Sequence, residues 1–345
     1  MSVFSMDAIG VDLGSENTTV AILDEGVVLK EPTCILANAE NETEIVALGK
    51  DAKRMDGRTD SETVLLNPIS YGAVAHTELA AMCLLGMSER AVQRRRPFEK
   101  TRLCVTHPYG LTQVEKNALS QTVMLAGAKK AVLVPGAIAQ ALGKDIHIER
   151  ATGNLIISIG SEITEISVIS MLGVVASRTM KTGSRAFDEA IKRYVRREKG
   201  LLIGTQTAEN LKKDIGSCMP ESKKTDSLTL RGRHVLTGKP STETITTEDI
   251  AKALDEPVRM LVESITDALY NVPSDLTGDL LDNGIHVTGA GSLLHGLPER
   301  IRKETQLKVF VGENPENDAA LGACRIASDE KMIRALLNAG SALEV

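Results

Sequence analysis

Gly-Ser-Glu-X-Thr occurs twice in the chain, at Gly14–Thr18 and at Gly160–Thr164, 146 positions apart. The two copies have the same surroundings. Apolar residues precede each (Ala8, Ile9, Val11 and Leu13; then Leu155, Ile156, Ile157 and Ile159), and an apolar run follows. A second turn then leads into Gly-Val-Val, at Gly26–Val28 and Gly173–Val175. One long offset marks a duplicated folding unit, because solenoid repeats have much shorter periods. A chain of 345 residues also exceeds what one core usually fills, so two lobes are expected, each presenting one glycine turn to a shared ligand.

Residues 8–13, 18–23 and 27–29 predict three strands with turns at Gly14–Asn17 and Asp24–Gly26. The stretch 155–180 predicts the same meander, turning near Gly160–Ile163 and Met171–Gly173. A Rossmann glycine loop joins a strand to a helix, whereas the first loop here joins strand to strand. Thr112 and Glu115 form a capping-box pattern before a helix over 113–126, and Gly127 is placed to stop it. A helix over 186–199 has Ser184 upstream, Thr207 is placed to cap a short helix ending at Gly216, and Pro257 should kink or break a helix over 248–270. Ile285–Thr288 reads as a strand, Gly289–Gly291 as a turn and Leu293–Lys303 as a helix. Two inserts interrupt the pattern: one at about 32–72, and a polar one at 217–246 with strand candidates at Ser227–Leu230 and Glu243–Thr246. The fold class is α/β, with a duplicated β-meander-plus-helix core.

Glycine lets backbone amides approach an anion closely, and the hydroxyl and amide side chains of Ser15, Asn17, Thr18, Ser161 and Thr164 add donors. A hairpin needs a glycine in any case, so one such turn says little. Two in matching frames, with a third at Gly289–Ser292, suit a clamp on a polyphosphate backed by a nucleoside pocket. The formal charge of −6 argues against a nucleic-acid partner, and four Phe, four Tyr and no Trp leave an aliphatic core with no platform for stacking bases. Five scattered cysteines without a CxxC read as buried apolar residues in a reducing compartment. No run approaches a membrane span, and the N-terminus lacks signal-peptide features, so a cytoplasmic location is expected.

These three segments resemble the phosphate-one, phosphate-two and adenosine motifs of the actin, sugar-kinase and heat-shock-chaperone ATPase superfamily. Within it the chain is most similar to the bacterial actins of the MreB group. The likeness extends through Gly26–Pro32, Gly49–Thr59, Val105–Lys116 with Pro108 and Glu115, Gly153–Asn154 and Phe187–Val195. It continues through Leu202–Gly204, Thr207–Gly216, Arg231–Arg233, Glu256–Pro257 and Gly289–Gly296, covering roughly residues 7 to 327. The resemblance implies an actin-like ATPase fold of two pseudo-symmetric lobes with a nucleotide cleft. It divides into subdomain IA (1–31, 73–145 and 315–345), IB (32–72), IIA (146–182 and 243–314) and IIB (183–242). It also implies ATP or ADP with Mg²⁺ as ligand, and self-association into filaments. A peripheral place at the inner face of the membrane, beside cell-wall synthesis proteins, follows from the same likeness. Asp12, Gly14, Ser15, Glu16 and Asn17 fall on the first phosphate loop, with Asp12 holding magnesium through water. Gly160, Ser161 and Glu162 fall on the second; Glu209, Asn210 and Lys212 fall beside the nucleoside; Gly289, Ala290, Gly291 and Ser292 fall on the adenosine loop.

The chain departs from that pattern where hydrolysis is organised. Ser158 stands 146 positions after Asp12, where the family carries a second aspartate. Val134-Pro135-Gly136-Ala137 holds no acid where the family has a carboxylate before a proline, so Gly136 replaces an expected glutamate. Glu162 and Glu16 bring carboxylates into phosphate loops, which repel phosphate unless they turn away or meet the metal. Hydrolysis needs a positioned water and neutralised charge, and losing one such group costs roughly 10²–10⁴-fold. Weak or absent ATPase activity is therefore expected. The competing readings are a working ATPase and a non-polymerising regulator of true filaments. A sugar kinase would need a catalytic aspartate and larger inserts, and a peptide-binding chaperone a β-domain after the core; neither is found. Arg94-Arg95-Arg96, with Leu84-Leu85 upstream and Phe98 after, and the apolar Val3, Phe4 and Met6 are the candidates for membrane contact; a solvated loop and a disordered end are the plainer readings. The six histidines are too dispersed to suggest a metal site.

Overall fold

The structure is a computed structural model that describes residues 8–55, 62–219, 221 and 226–345. Val3, Phe4 and Met6, the end of the Gly49–Thr59 likeness and part of the polar insert lie outside the described residues.

β1 (Ala8–Leu13), β2 (Asn17–Ile22) and β3 (Gly26–Pro32) form an antiparallel meander. The third strand outruns the expected 27–29 because it stays paired with β2 until Pro32 lies opposite Asn17. Asp24 and Gly26 take positive φ (66° and 75°) at the second turn, a conformation those residue types tolerate. The first insert supplies β4 (Ile35–Asn38), β5 (Ile45–Leu48), α1 (Lys50–Met55), β6 (Thr63–Leu66) and the small pair β7 (Ile69–Ser70) and β8 (Ala73–Val74). α2 (Thr77–Val92), β9 (Arg102–His107), α3 (Gln113–Leu125), β10 (Ala131–Pro135) and α4 (Gly136–Gly143) follow. The capping box at α3 forms as its sequence pattern predicts. Glu115 N–H donates to Thr112 Oγ1 at 3.3 Å, Thr112 N–H donates to the Glu115 carboxylate at 2.7 Å, and Gly127 ends the segment at φ 88°.

The second meander comprises β11 (Asn154–Ile159), β12 (Thr164–Ser170) and β13 (Gly173–Met180). After it come α5 (Ser184–Glu198), β14 (Leu201–Leu202), α6 (Thr205–Ile215), β15 (Ser227–His234), β16 (Pro240–Thr246), α7 (Thr247–Tyr270), α8 (Ser274–Asn283) and β17 (Ile285–Thr288). A 3₁₀ turn at Ala290–Leu293, α9 (Leu297–Thr305), β18 (Val309–Val311), α10 (Asp318–Ser328), α11 (Glu330–Asn338) and β19 (Leu343–Glu344) complete the chain.

Three helix starts, and the fate of the helix containing Pro257, differ from expectation. α5 begins at Ser184 with Gly183 as its cap, because the loop before it holds the first amides. α6 is capped by Gly204, which puts Thr207 inside the first turn. Pro257 does not break α7, whose Thr246/Asp249 capping box and buried Ile250, Leu254, Val258, Leu261 and Ile265 hold it through the missing amide. The helix expected from Leu293 starts instead at Leu297, because Gly296 at φ 82° interrupts it.

Among the described residues one sheet runs β19-β10-β9-β1-β2-β3 and another runs β13-β12-β11-β17-β18. The order is alike in both: a meander whose first strand adjoins further strands, three in the first sheet and two in the second. β1, β9 and β10 are parallel in the first sheet, as are β17 and β18 in the second. The two meanders thus lie in separate sheets of like topology, as the 146-residue offset predicts.

The chain divides into two compact units, one of residues up to 156, 167–179 and 316–345, the other of 157–166 and 180–315. In the first unit, Ile9, Val11, Leu103, Val105 and Leu133 pack toward Leu84, Phe98, Leu119 and Val123, while Ala8, Cys104, Val132 and Val134 face Ile138, Ala323 and Ile326. α10 lies so close to β1 that a Cβ on Gly10 would fall on the Cys324 backbone nitrogen. In the second unit Phe187, Ile191, Val195, Leu211, Leu254 and Leu261 are buried. Phe98 and Phe187 are the aromatic members of otherwise aliphatic interiors among the described residues.

Candidate nucleotide-binding loops

In the first unit the β1–β2 turn is closed by Gly14 N–H donating to Asn17 O at 3.1 Å. A Cβ on Gly14 would stand 2.8 Å from that carbonyl oxygen, so the turn admits only glycine without moving. Thr33 N–H donates to Glu16 O at 2.9 Å. A planar trans peptide points its C=O and N–H in opposite directions, so the Asn17 amide faces away from Thr33. Ser15 Oγ accepts from Gly72 N–H at 3.1 Å and still carries its own proton to donate. Asp12, half-buried at the end of β1, accepts from Thr106 Oγ1 at 2.5 Å. Burial holds its carboxyl above the usual carboxylate range, while the Thr106 hydrogen bond and the Lys30 charge pull the other way.

In the second unit the matching turn carries the matching bond, Gly160 N–H to Ile163 O at 2.9 Å, and a Cβ on Gly160 would stand 3.0 Å from Ile163 O. Here a helix holds the loop. Ser184 N–H donates to Gly160 O at 2.9 Å and Arg185 N–H to Ser161 O at 2.8 Å. Gly183 makes this approach possible, since a Cβ there would lie 2.5 Å from Ser161 O. With both carbonyls turned to α5, the amides of Ser161 and Glu162 are directed away from it. That is the arrangement an anion-binding loop requires. Glu162, only 11% exposed, does not stand as a lone carboxylate: Arg185 Nη1 forms an ion pair with its Oε1. Thr18 and Thr164, again 146 apart, both brace the end of a third strand: Thr18 Oγ1 lies 2.9 Å from Thr33 Oγ1, and Thr164 Oγ1 donates to Thr182 O at 2.8 Å.

The third glycine turn is in the same unit as the second. Thr288 Oγ1 and Gly289 N–H both donate to Pro315 O, at 2.7 and 2.9 Å, and Ser292 Oγ donates to Gly289 O at 2.7 Å. Gly289, at φ 80°, packs where a Cβ would lie 2.5 Å from Ile159 O, and Gly291 packs on the Ile159 side chain. Ile159 directly precedes Gly160, so Gly289–Ser292 and Gly160–Glu162 are brought together around one residue. On α6, Lys212 Nζ lies 2.8 Å from Asp188 Oδ1 and donates to Ser184 O at 3.2 Å. Glu209 pairs with Lys213 at 2.6 Å, and Asn210 Oδ1 accepts from Gln206 Nε2 at 3.1 Å. Lys212 is thus engaged within the protein, fastening α6 to the first turn of α5.

At the other expected positions, Ser158 is half-buried near the end of β11, and Gly136 opens α4 directly after β10. β10 pairs in parallel with β9, so Pro135 lies opposite His107, whose pKa burial pushes down. Thr106, Gly183 and Arg185 escaped the sequence reading. Gly183 and Ser184, small residues just before the 186–199 helical pattern, were the available signal for the clamp; Thr106 had none, because its partner Asp12 is distant in sequence. Leu84 and Phe98 are buried beside the arginine cluster, and Arg94 donates to Thr101 Oγ1 at 2.7 Å, so that segment offers charge without exposed apolar residues. Among the described residues no helix is long and apolar enough to cross a membrane, and no group of three or more His, Cys, Asp or Glu side chains is placed to hold a metal.

The MreB/Mbl protein family description matches residues 6–335. The chain belongs to the MreB/Mbl family. It is 32% identical over 320 residues to the cell shape-determining protein Mbl of Bacillus subtilis, covering 93% of this chain and 95% of that one. It is 35% identical over 325 residues to the cell shape-determining protein MreB of Escherichia coli K12, covering 93% and 92%. The crystal structure of Spiroplasma citri MreB5 bound to AMPPNP superposes with a TM-score of 0.88 at 30% identity, over 97% of this chain and 99% of that one. The MamK double helical filament shares the fold at a TM-score of 0.74 and 20% identity, over 94% and 99%. The actin-like architecture that the resemblance implied is therefore that of an MreB/Mbl member.

Proposed function

We propose that this chain is an MreB-type cytoskeletal protein of cell-shape determination, which self-associates, binds an adenine nucleotide and hydrolyses it slowly or not at all. The observation that carries the reading is the pair of like-built glycine turns at Gly14 and Gly160, within a chain similar along most of its length to cell shape-determining proteins. MreB5 of Spiroplasma citri has been crystallised with AMPPNP and with ADP, which supports a nucleotide here. In this reading Gly14–Asn17 and Gly160–Glu162 take the phosphates, and Gly289–Ser292 with α6 takes the nucleoside. The four-subdomain division belongs to the same proposal, as do a peripheral membrane location and cell-wall synthesis partners.

Magnesium fits on limited terms. It commonly takes one or two carboxylates and completes its shell with phosphate oxygens and water. Asp12 provides one such carboxylate, and burial disfavours its charged form, a cost that a bound cation would offset. Magnesium, when bound, neutralises phosphate charge there. This chain's residues do the rest: the loop amides orient the phosphates and Thr106 fixes the Asp12 carboxylate. Without an acid at Ser158 or Gly136, no side chain at those positions can take a proton from an attacking water. Sedimentation and electron microscopy with and without ATP, alongside phosphate release, test the proposal. Filaments with little phosphate release are expected; a monomer under all nucleotide conditions would refute self-association.

A further inference from the structure

The second glycine loop contains an ionised pair that its suggested ligand makes hard to ignore. Glu162 lies at the point where a polyphosphate is expected, and its side chain is 11% exposed, so water screens its charge poorly. A lone carboxylate there would oppose any phosphate within about 10 Å, the reach of charge at 0.1 M salt. Arg185 answers it. The residue grips the loop twice, through its backbone N–H on Ser161 O at 2.8 Å and through its guanidinium on Glu162. Its neighbour Ser184 holds Gly160 O at 2.9 Å, so three consecutive loop residues are engaged by two consecutive helix residues.

We infer that Arg185 is a charge-compensating, positioning residue of the second phosphate loop: by pairing with Glu162 it makes the loop competent to accept a nucleotide polyphosphate. This rests on the nucleotide reading above and adds to it the residue that permits phosphate entry. The ligand class follows from the chemistry. With the pair intact the loop side chains contribute no net charge, and the directed amides of Ser161 and Glu162 dominate what an anion meets. With Arg185 removed, the poorly screened Glu162 carboxylate loses the guanidinium charge that faces it beside the same amides.

The test is isothermal titration of the full-length protein with ATP, and with adenosine as an uncharged control, with melting followed in parallel. Arg185→Gln is expected to weaken ATP binding on the order of tenfold or more while leaving adenosine unaffected, because it withdraws the positive charge facing the poorly screened Glu162 carboxylate. Glu162→Gln/Arg185→Gln should recover to within a few-fold of the unmodified protein, and the swapped pair Glu162→Arg/Arg185→Glu should do the same. A merely structural Arg185 would not be rescued by removing its partner's charge. Should Arg185→Gln fail to fold, Glu162→Gln alone decides: tighter or equal ATP binding supports compensation, and weaker binding overturns it. Unchanged ATP binding in folded Arg185→Gln overturns the inference and leaves the nucleotide reading standing. A double variant as weak as Arg185→Gln also overturns it, because Arg185 would then act on phosphate directly. Absence of ATP binding in the unmodified protein overturns both.

Discussion

Lys212 on α6 closes onto Asp188 on α5, its ammonium 2.8 Å from one carboxylate oxygen and 2.9 Å from the other. The side chains are 12% and 8% exposed, and the same ammonium reaches the carbonyl oxygen of Ser184, whose N–H clamps the second loop. Lys212→Met is therefore expected to destabilise the protein by about 3 kcal/mol, since it withdraws the charge that faces a buried carboxylate. Lys212→Met/Asp188→Asn should restore part of the loss. Chemical denaturation of the three variants checks this, and equal stability of the single variant and the unmodified protein would contradict it.

Gly14→Val and Gly160→Val should each impair nucleotide binding, and together abolish it. The added Cβ meets carbonyl oxygen at 2.8 Å in the first turn and 3.0 Å in the second, so each turn must shift to take a bulky side chain. Calorimetry with ATP is the measurement; retained affinity in the double variant would show that the turns do not hold the ligand.

How far was this legible beforehand? The two meanders, their turns and the capping box at Thr112 could be read because each depends on residues close in sequence. Two of the differences depend on distant partners: Ser184 enters α5 because its amide finds Gly160 O, and α7 survives Pro257 because one of its faces is buried. At the site, glycines and hydroxyls announce themselves by pattern. The pairing of Glu162 with Arg185 does not, because 23 positions separate them and no periodicity connects a hairpin turn to the start of a later helix.

Asp12→Asn should trade stability against ligand binding in a pH-dependent way. Burial raises the folded-state pKa of Asp12 above its ordinary value of 3.8, so the folded protein holds that proton more tightly than the unfolded chain. Stability from this group is full at low pH and is lost as pH rises from 3.8 through the folded value. At neutral pH the asparagine variant, which keeps an oxygen for Thr106, should melt higher than the unmodified protein. That gain should vanish in acid, while magnesium-dependent ATP binding falls. Melting curves across pH test the sign; a variant less stable at pH 7 would reverse it.

Ser158→Asp with Gly136→Glu should raise steady-state phosphate release more than the product of the single effects, because both acids would act on one water. The second change has room: a Cβ on Gly136 finds its nearest neighbour, His107 O, at an ordinary 3.7 Å. If the unmodified protein already releases phosphate as fast as acid-bearing relatives, the slow-turnover reading is wrong.

α10 packs backbone to backbone on α4 and β1, where Gly10 and Gly322 leave no space for a side chain. Those surfaces belong to segments on opposite sides of the whole stretch 144–315. During synthesis on the ribosome, β1, β9 and α4 therefore emerge long before the helix that covers them, while the intervening second unit already has most of its own partners. The unit made first is the one finished last. Until α10 arrives, its Cys104, Val132 and Ile138 lack the apolar cover that Ala323 and Ile326 give them in the finished fold.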